Sequence, residues 1–375
     1  MGEDTYIDVA AEAECIFDFR DPLFHLEESD IPDISIDFST PIEFINKKFK
    51  NFEKNLNGIH INARSIAKHY DEIVRLLIES KVDFLAISET FVCDKTPKMF
   101  YEIPGYKFFH KDRTNKSRGG VGIYVKEGIT CKEIKLCKEV SQPEILFLEL
   151  NCNNIKVALG VIYKSPLISY TQYEVLTEVL APIVTGYEHH IITGDYNIDQ
   201  LQPNSSACKF FREHVIEPYD LTQIITEPTR VTEKTSTLID LILVSYPENV
   251  KVSGVVDVPA IADHCLTFCS YAIKKPKFKP KIIIKRKMKN FNIEDFKNDI
   301  ALAPWGCLLA FEDTDLDNKV TVIENIYRDI IDKHCPKIEI RVTHPSSSEW
   351  RTPEIKQLQD DRDRYYTKFK HMKKK

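Results

Sequence analysis

The chain has 375 residues, 43% of them hydrophobic, and a formal net charge of −6, enough apolar material for one large core or two modest ones. Its ten cysteines are scattered without a CxxC pair, which excludes a disulfide scaffold and a zinc ribbon. No apolar run has the length to cross a bilayer, and the first residues are acidic where a secretory signal would be basic and then apolar. An intracellular protein with no membrane partner is therefore expected. The charge is segregated: Arg20 is the only Lys or Arg among the first 45 residues, whereas residues 274–289 (KKPKFKPKIIIKRKMK) contain no acid, so the net value is a poor guide to partners.

Residues 1–50 show no sustained period of 2 or 3.6 and read as a poorly ordered acidic leader. GIHINARS then has the pattern of a strand entering a polar turn. A helix follows, with Ile66, Tyr70, Ile73, Val74 and Leu77 on one face. VDFLAISET is a short apolar run ending in polar residues, as in a strand covered on both sides. GGVGIYVK, EILFLELN, IKVALGVIYK, HHIITGDYN, STLIDLILVS and DHCLTFCSYAI read as further strands, with a helix at 172–186 between them. Strands mixed with helices over residues 57–273 predict a layered α/β domain. Residues 274–289 read as a basic linker, in which nucleic-acid contact, a nuclear localisation signal and plain solvation all stay open. Residues 290–375 read as a helical extension, with a last helix starting at Thr352-Pro353.

The predicted strands end in chemistry. Asn62, Glu89, Tyr163, Asp195 and Asn197 close theirs, Asp240 lies inside an apolar run, and Asp263-His264 precede one. Strand ends on one side of a sheet converge, so these groups can share a pocket. Carboxylate and amide oxygens suit Mg²⁺, with Mn²⁺ as a possible substitute, better than zinc. Taken singly, Asp195 with Asn197 also fits an Asx turn and Glu89-Thr90 a helix start. Asp240 is different, because a carboxylate flanked by Leu238, Ile239, Leu241 and Ile242 needs a partner. The adjacent His189-His190 point to opposite faces of a strand and are not expected to share an ion.

NARS (62–65), SET (88–90), RGGVGIYV (118–125), GVIYKSP (160–166), TGDYN (193–197), EPTR (227–230), STLIDLIL (236–243) and ADH (262–264) occur in this order. The series resembles the apurinic-type endonuclease module of non-LTR (LINE-type) retrotransposons, within the endonuclease/exonuclease/phosphatase superfamily. That resemblance implies a deoxyribonuclease I-like fold: a four-layered α/β sandwich of two packed mixed β-sheets flanked by helices, here with a helical C-terminal extension. It also implies a metal-dependent endonuclease that nicks one DNA strand and leaves a 3′-hydroxyl. Glu89 is then the principal metal ligand, with Asn62 in the ligand shell and Asp263 assisting the metal or the leaving oxygen. Asp195 orients or deprotonates water, Asn197 donates to the transition state, and Tyr163 contacts the phosphate. His264 holds the phosphate, and Asp240 sets its tautomer. Arg230 and Arg118 are expected on the DNA backbone. Tyr196, Ala262 and Phe91 stand where the family generally has Phe, Ser and Trp, and none of these removes a charged group.

The extension resembles the segment preceding a reverse transcriptase, a possible partner in a full-length element, although no reverse-transcriptase motif is present. The chain then reads as a truncated element, a fragment of a longer frame or a host-retained remnant, nuclear at least transiently. Two alternatives stay open: a phosphodiesterase or phosphatase of the same fold with another substrate, and an inactive remnant acting as a binding module.

Overall fold

The computed structural model describes residues 39–113, 118–232, 234–276, 281–310, 316–342 and 352–373. The chain begins with α1 (Pro41–Phe49), β1 (Asn55–Asn62), α2 (Tyr70–Glu79), β2 (Phe84–Ser88), β3 (Tyr106–Lys111), β4 (Val121–Lys126) and β5 (Thr130–Glu133). It continues with β6 (Glu144–Cys152), β7 (Ile155–Tyr163), α3 (Glu174–Gly186), β8 (His189–Asp195), α4 (Ser206–Phe211), β9 (Thr222–Gln223), β10 (Arg230–Val231) and β11 (Ser236–Thr237). Then come β12 (Asp240–Val244), β13 (Val250–Val256), β14 (Leu266–Lys274), β15 (Lys281–Arg286), α5 (Ile293–Ala301), α6 (Leu316–His334), β16 (Lys337–Val342) and α7 (Pro353–Lys373).

Two six-stranded sheets form the body, in the orders β13-β14-β1-β2-β4-β3 and β5-β6-β7-β8-β12-β9. β1–β2 and β7–β8 are parallel and their other neighbours antiparallel, so both sheets are mixed. The two-residue period of a strand gives each sheet two packed faces. Leu85 and Ile87 of β2 pack outward with Ile42, Ile45 and Phe49 of α1 and Ile73, Leu76 and Leu77 of α2. Phe84 and Ala86, on the other face of the same strand, face Leu146, Val161 and Ile191 of the second sheet. Further residues in that core, Leu176, Val179, Leu180 and Phe211, come from α3 and α4. This is the four-layered sandwich expected from the sequence. In β1 the same alternation sends Ile59 and Ile61 to the helices and His60 and Asn62 toward the second sheet, where they meet Asp240 and Asp195.

The structure moves three boundaries. Residues 1–38 of the expected leader lie outside the described residues, but 41–49 form α1. Its start is a capping box in which Thr40 Oγ1 accepts from Glu43 N–H and the Glu43 carboxylate accepts from Thr40 N–H. Deleting α1 removes buried Ile42, Ile45 and Phe49, side chains worth about 1.5–3 kcal/mol each. A chain starting at residue 55 is therefore expected to melt well below one starting at residue 40 in a thermal unfolding scan. Equal melting temperatures would show that α1 contributes no stability.

The expected linker is a strand in its second half. Once the Lys-Pro alternation ends at Pro280, the β-branched run Ile282–Ile284 pairs antiparallel with KIEIRV of β16. The extension thus contains a β-ribbon as well as helices. Its last helix returns to the domain, where the buried Arg75 guanidinium of α2 pairs with Asp360 and, at 2.8 Å, with Asp363 of α7.

Candidate active site

The site sits where strand ends of both sheets meet. Tyr163, Asp195 and Asp240 form one row across β7, β8 and β12, since Tyr163 and Asp240 are the two register partners of Asp195. In the facing sheet Asn62 and Ser88 are register partners at the ends of β1 and β2. Gly194 makes the row possible. Its φ of +153° suits glycine, and a Cβ there would lie 1.8 Å from the Ile162 carbonyl oxygen.

One amide joins the sheets. Asn62 Nδ2 donates to Glu89 Oε1 and to Asp195 Oδ2, both at 2.9 Å. The Tyr163 hydroxyl also donates to Glu89 Oε1, at 2.9 Å. Glu89 lies just past β2 with φ +57° and Asn197 just past β8 with φ +48°, strained backbone that swings both side chains into the pocket. Asn197 N–H donates to Asp195 Oδ1 at 3.0 Å, and its amide donates to the Lys164 carbonyl at 2.8 Å. Behind this row, His264 Nδ1 lies 2.9 Å from Asp240 Oδ2, with both side chains buried.

The electrostatics follow from burial among neighbouring charges. Burial and the adjacent Asp240 carboxylate push Asp195 up to about 7. Burial of the His264 ring opposes its charging, but Asp240, Asp195 and Asp263 together outweigh it and raise His264 to about 9. With Nδ1–H donated to Asp240, His264 Nε2 has no hydrogen-bond partner among the described residues. Asp195, Asp240 and His264 bring ligand atoms within 4.8 Å of one another, a cluster that could hold a metal ion. The donor chemistry favours the neighbouring position. Asp240 Oδ2 is already taken by His264, whereas Glu89 Oε2 has no partner among the described residues and Glu89 Oε1 shares the Asn62 amide with Asp195 Oδ2. A set of oxygens on hydrogen-bonded frames fits a hard divalent cation.

Three expected residues lie outside this hydrogen-bonded frame. Asp263 is not free for a metal: Oδ1 lies 3.2 Å from Arg64 Nη1, and Oδ2 accepts from Arg230 at 3.0 and 3.1 Å. Arg230 therefore shares a carboxylate next to His264, and its half-exposed guanidinium still faces solvent. Arg118 is exposed, beside the backbone ladder that ties Gly119 to Phe91, and has no hydrogen-bond partner among the described residues. His189 and His190 contact Tyr271 and the Ile183 carbonyl and share no site.

Other functional positions had no mark in the sequence. Thr229, fully buried, accepts through Oγ1 from the backbone N–H of Ile239 and Asp240 at 3.1 and 3.0 Å, fixing where Asp240 starts its strand. Lys164 is buried with its ammonium on the carbonyls of Ser165 and Ile168 at 3.0 and 2.8 Å, which shapes the loop under Asn197. His60 and Ser88 lie behind the Asp240 and Asp195 carboxylates.

Residues 54–264 match the endonuclease/exonuclease/phosphatase family. The match covers more than half of the chain, and the chain belongs to that family, whose members are metal-dependent nucleases and phosphatases. No curated protein sequence matches it. Among solved structures it is similar to the endonuclease domain of TRAS1, a telomere-specific non-LTR retrotransposon, with TM-score 0.47 and 11% identity over 59% of this chain and 100% of that one. An AP endonuclease from Archaeoglobus fulgidus gives TM-score 0.46 and 17% identity over 58% and 100%. The APE2 catalytic domain of Xenopus laevis gives 0.44 and 16% over 59% and 93%. No helix among the described residues is long and apolar enough to cross a membrane.

Proposed function

We propose that the chain is a Mg²⁺-dependent DNA endonuclease that nicks one strand and leaves a 3′-hydroxyl, of the retrotransposon type that its ordered motifs resemble. The observation that carries this reading is the pairing of two devices in one pocket. One Asn62 amide bridges the Glu89 and Asp195 carboxylates, and an Asp240-oriented His264 offers a free Nε2 beside them.

Glu89 and Asp195, fixed by the Asn62 amide, would hold the divalent cation, which when bound neutralises phosphate charge and favours the ionised form of its carboxylates. Asp195, wedged between Asn62 and Asn197, takes the proton of the attacking water. Protonated His264 grips a non-bridging phosphate oxygen through Nε2, in the orientation that Asp240 imposes. The Asn197 amide, anchored on the Lys164 carbonyl, and the Tyr163 hydroxyl donate to oxygens that gain charge. Attack at phosphorus breaks the bond to O3′, which takes up a proton from solvent and leaves as the 3′-hydroxyl. Arg64 and Arg230 exceed the charge of the Asp263 they share by one, which suits the phosphates beside the cut. A chromosomal substrate would require the protein to reach the nucleus.

Supercoiled plasmid incubated with the protein and Mg²⁺ or Mn²⁺ is expected to become open circles that DNA ligase reseals, with no change in EDTA. Plasmid left supercoiled by folded protein in both metals would overturn the endonuclease reading. Hydrolysis of another phosphoester by the same sample would favour a same-fold phosphodiesterase, and no hydrolysis of any would favour a binding module.

A further inference from the structure

Asp240 is wholly buried, and its two oxygens are held unequally. Oδ2 lies 2.9 Å from His264 Nδ1, whereas Oδ1 has no hydrogen-bond partner among the described residues. The group facing Oδ1 is His60 of β1, whose Nδ1 lies 3.9 Å away, is itself fully buried and also lacks a hydrogen-bond partner among the described residues. Two orphaned atoms of complementary kind facing each other in a dry interior define where a proton belongs.

The far side of the imidazole has a partner that can accommodate a proton on Nδ1. His60 Nε2 lies 3.0 Å from Ser88 Oγ, and Ser88 Oγ accepts the backbone N–H of Asp195 at 3.4 Å. Ser88 Oγ keeps its proton and a second lone pair, so it can donate to His60 Nε2 or accept from it, and donation is the arrangement that leaves a ring proton to pair the two orphaned atoms. The ring proton is then on Nδ1, aimed at Asp240. All donors are thereby ordered: Asp195 N–H to Ser88, Ser88 O–H to His60 Nε2, and His60 Nδ1–H toward Asp240 Oδ1. His60 and Ser88 belong to one sheet, Asp195 and Asp240 to the other, so the chain of donors is a polar strut across the sandwich beneath the pocket.

We propose that His60 is a positioning residue: as the neutral Nδ1–H tautomer it holds Asp240 from the opposite sheet, so that Asp240 in turn keeps His264 aimed at the phosphate. It touches no substrate and acts through Asp240, and the inference rests on reading this pocket as the phosphodiesterase centre.

The test uses two variants of similar size. An Asn amide can occupy the place of Nδ1, facing Asp240, whereas a Gln amide reaches that of Nε2, facing Ser88. His60→Asn is expected to nick within about threefold of the parent and His60→Gln to lose at least about tenfold in kcat with KM for DNA unchanged. Independently of activity, ¹⁵N NMR of the metal-free parent should show His60 protonated at Nδ1 alone. The His264 Nδ1–H resonance should persist in His60→Asn and be displaced or broadened in His60→Gln. A His60 protonated at Nε2 in the parent, or equal effects of the two substitutions, including failure of both to fold, would overturn the proposal. If the parent itself does not nick, the endonuclease reading fails alone, and the NMR result still decides the role of His60.

Discussion

Glu89→Gln is expected to abolish strand nicking while leaving the thermal unfolding curve where it was. Glutamine keeps an oxygen at the position that accepts from Asn62 and from the Tyr163 hydroxyl, so the hydrogen-bonded frame survives. The side chain is only half-buried beyond the end of β2 and fills no core, so packing loses nothing. What goes is one negative charge, at the point where oxygen donors from two sheets converge. If that charge holds the cation, the single-turnover nicking rate should drop by about 10³-fold or more, equivalent to roughly 4 kcal/mol of transition-state stabilisation. Raising the metal concentration should recover little, because a neutral amide oxygen replaces the charged ligand and occupancy alone does not restore that charge. A variant that nicks within about tenfold of the parent would place the ion elsewhere, with the Asp195, Asp240 and His264 cluster as the next position to test.

Much of this architecture was legible in the chain because its strands are covered on both faces. FLAIS and DLILV are buried throughout, so they appear in the sequence as short apolar runs whose polar neighbours mark the ends. The ends are where the site lies, which is why Asn62, Glu89, Tyr163, Asp195 and Asp240 could be listed before any register was known. Less regular strands were lost. β13 is only partly buried and β3 mixes Lys and His with aromatics, so neither shows a clear period. α1 was hidden by its surroundings: Ile42, Ile45 and Phe49 have helical spacing, but the acidic stretch before them set the reading. The partners of Asp263 were illegible for another reason. Arg64 and Arg230 reach it from far along the chain, and no local pattern records a contact of that kind. His60 is the extreme case. Between Ile59 and Ile61 it reads as one more core position, and only the pairing of β1 with β2, with β12 across the sandwich, gives it two polar neighbours.

Asp240→Ala should fail in a different way from Glu89→Gln, losing stability as well as activity. The carboxylate is inside the sandwich with no exposure, fixed by the Thr229 hydroxyl at its backbone N–H and tied to His264 through Oδ2. Its removal leaves a cavity and strands a buried imidazole, a loss on the scale of breaking one partner of a buried charged pair, about 3–5 kcal/mol. The imidazole should report the loss directly. Asp240 is the largest of the groups that hold His264 near 9 against the effect of burial, so in the variant burial should prevail and the ring should titrate well below the parent value. The sign of the pH dependence follows. A histidine whose pKa is raised on folding contributes stability that is fully present below its ordinary value of 6.5 and lost as pH rises through about 9. The gap in unfolding free energy between parent and variant should therefore be widest below about pH 6.5 and narrow as pH rises through about 9. Chemical denaturation at several pH values, with NMR titration of His264, measures both effects. Retained nicking with a melting curve matching the parent would remove Asp240 from its orienting role, and the placement of His264 on the phosphate would fall with it.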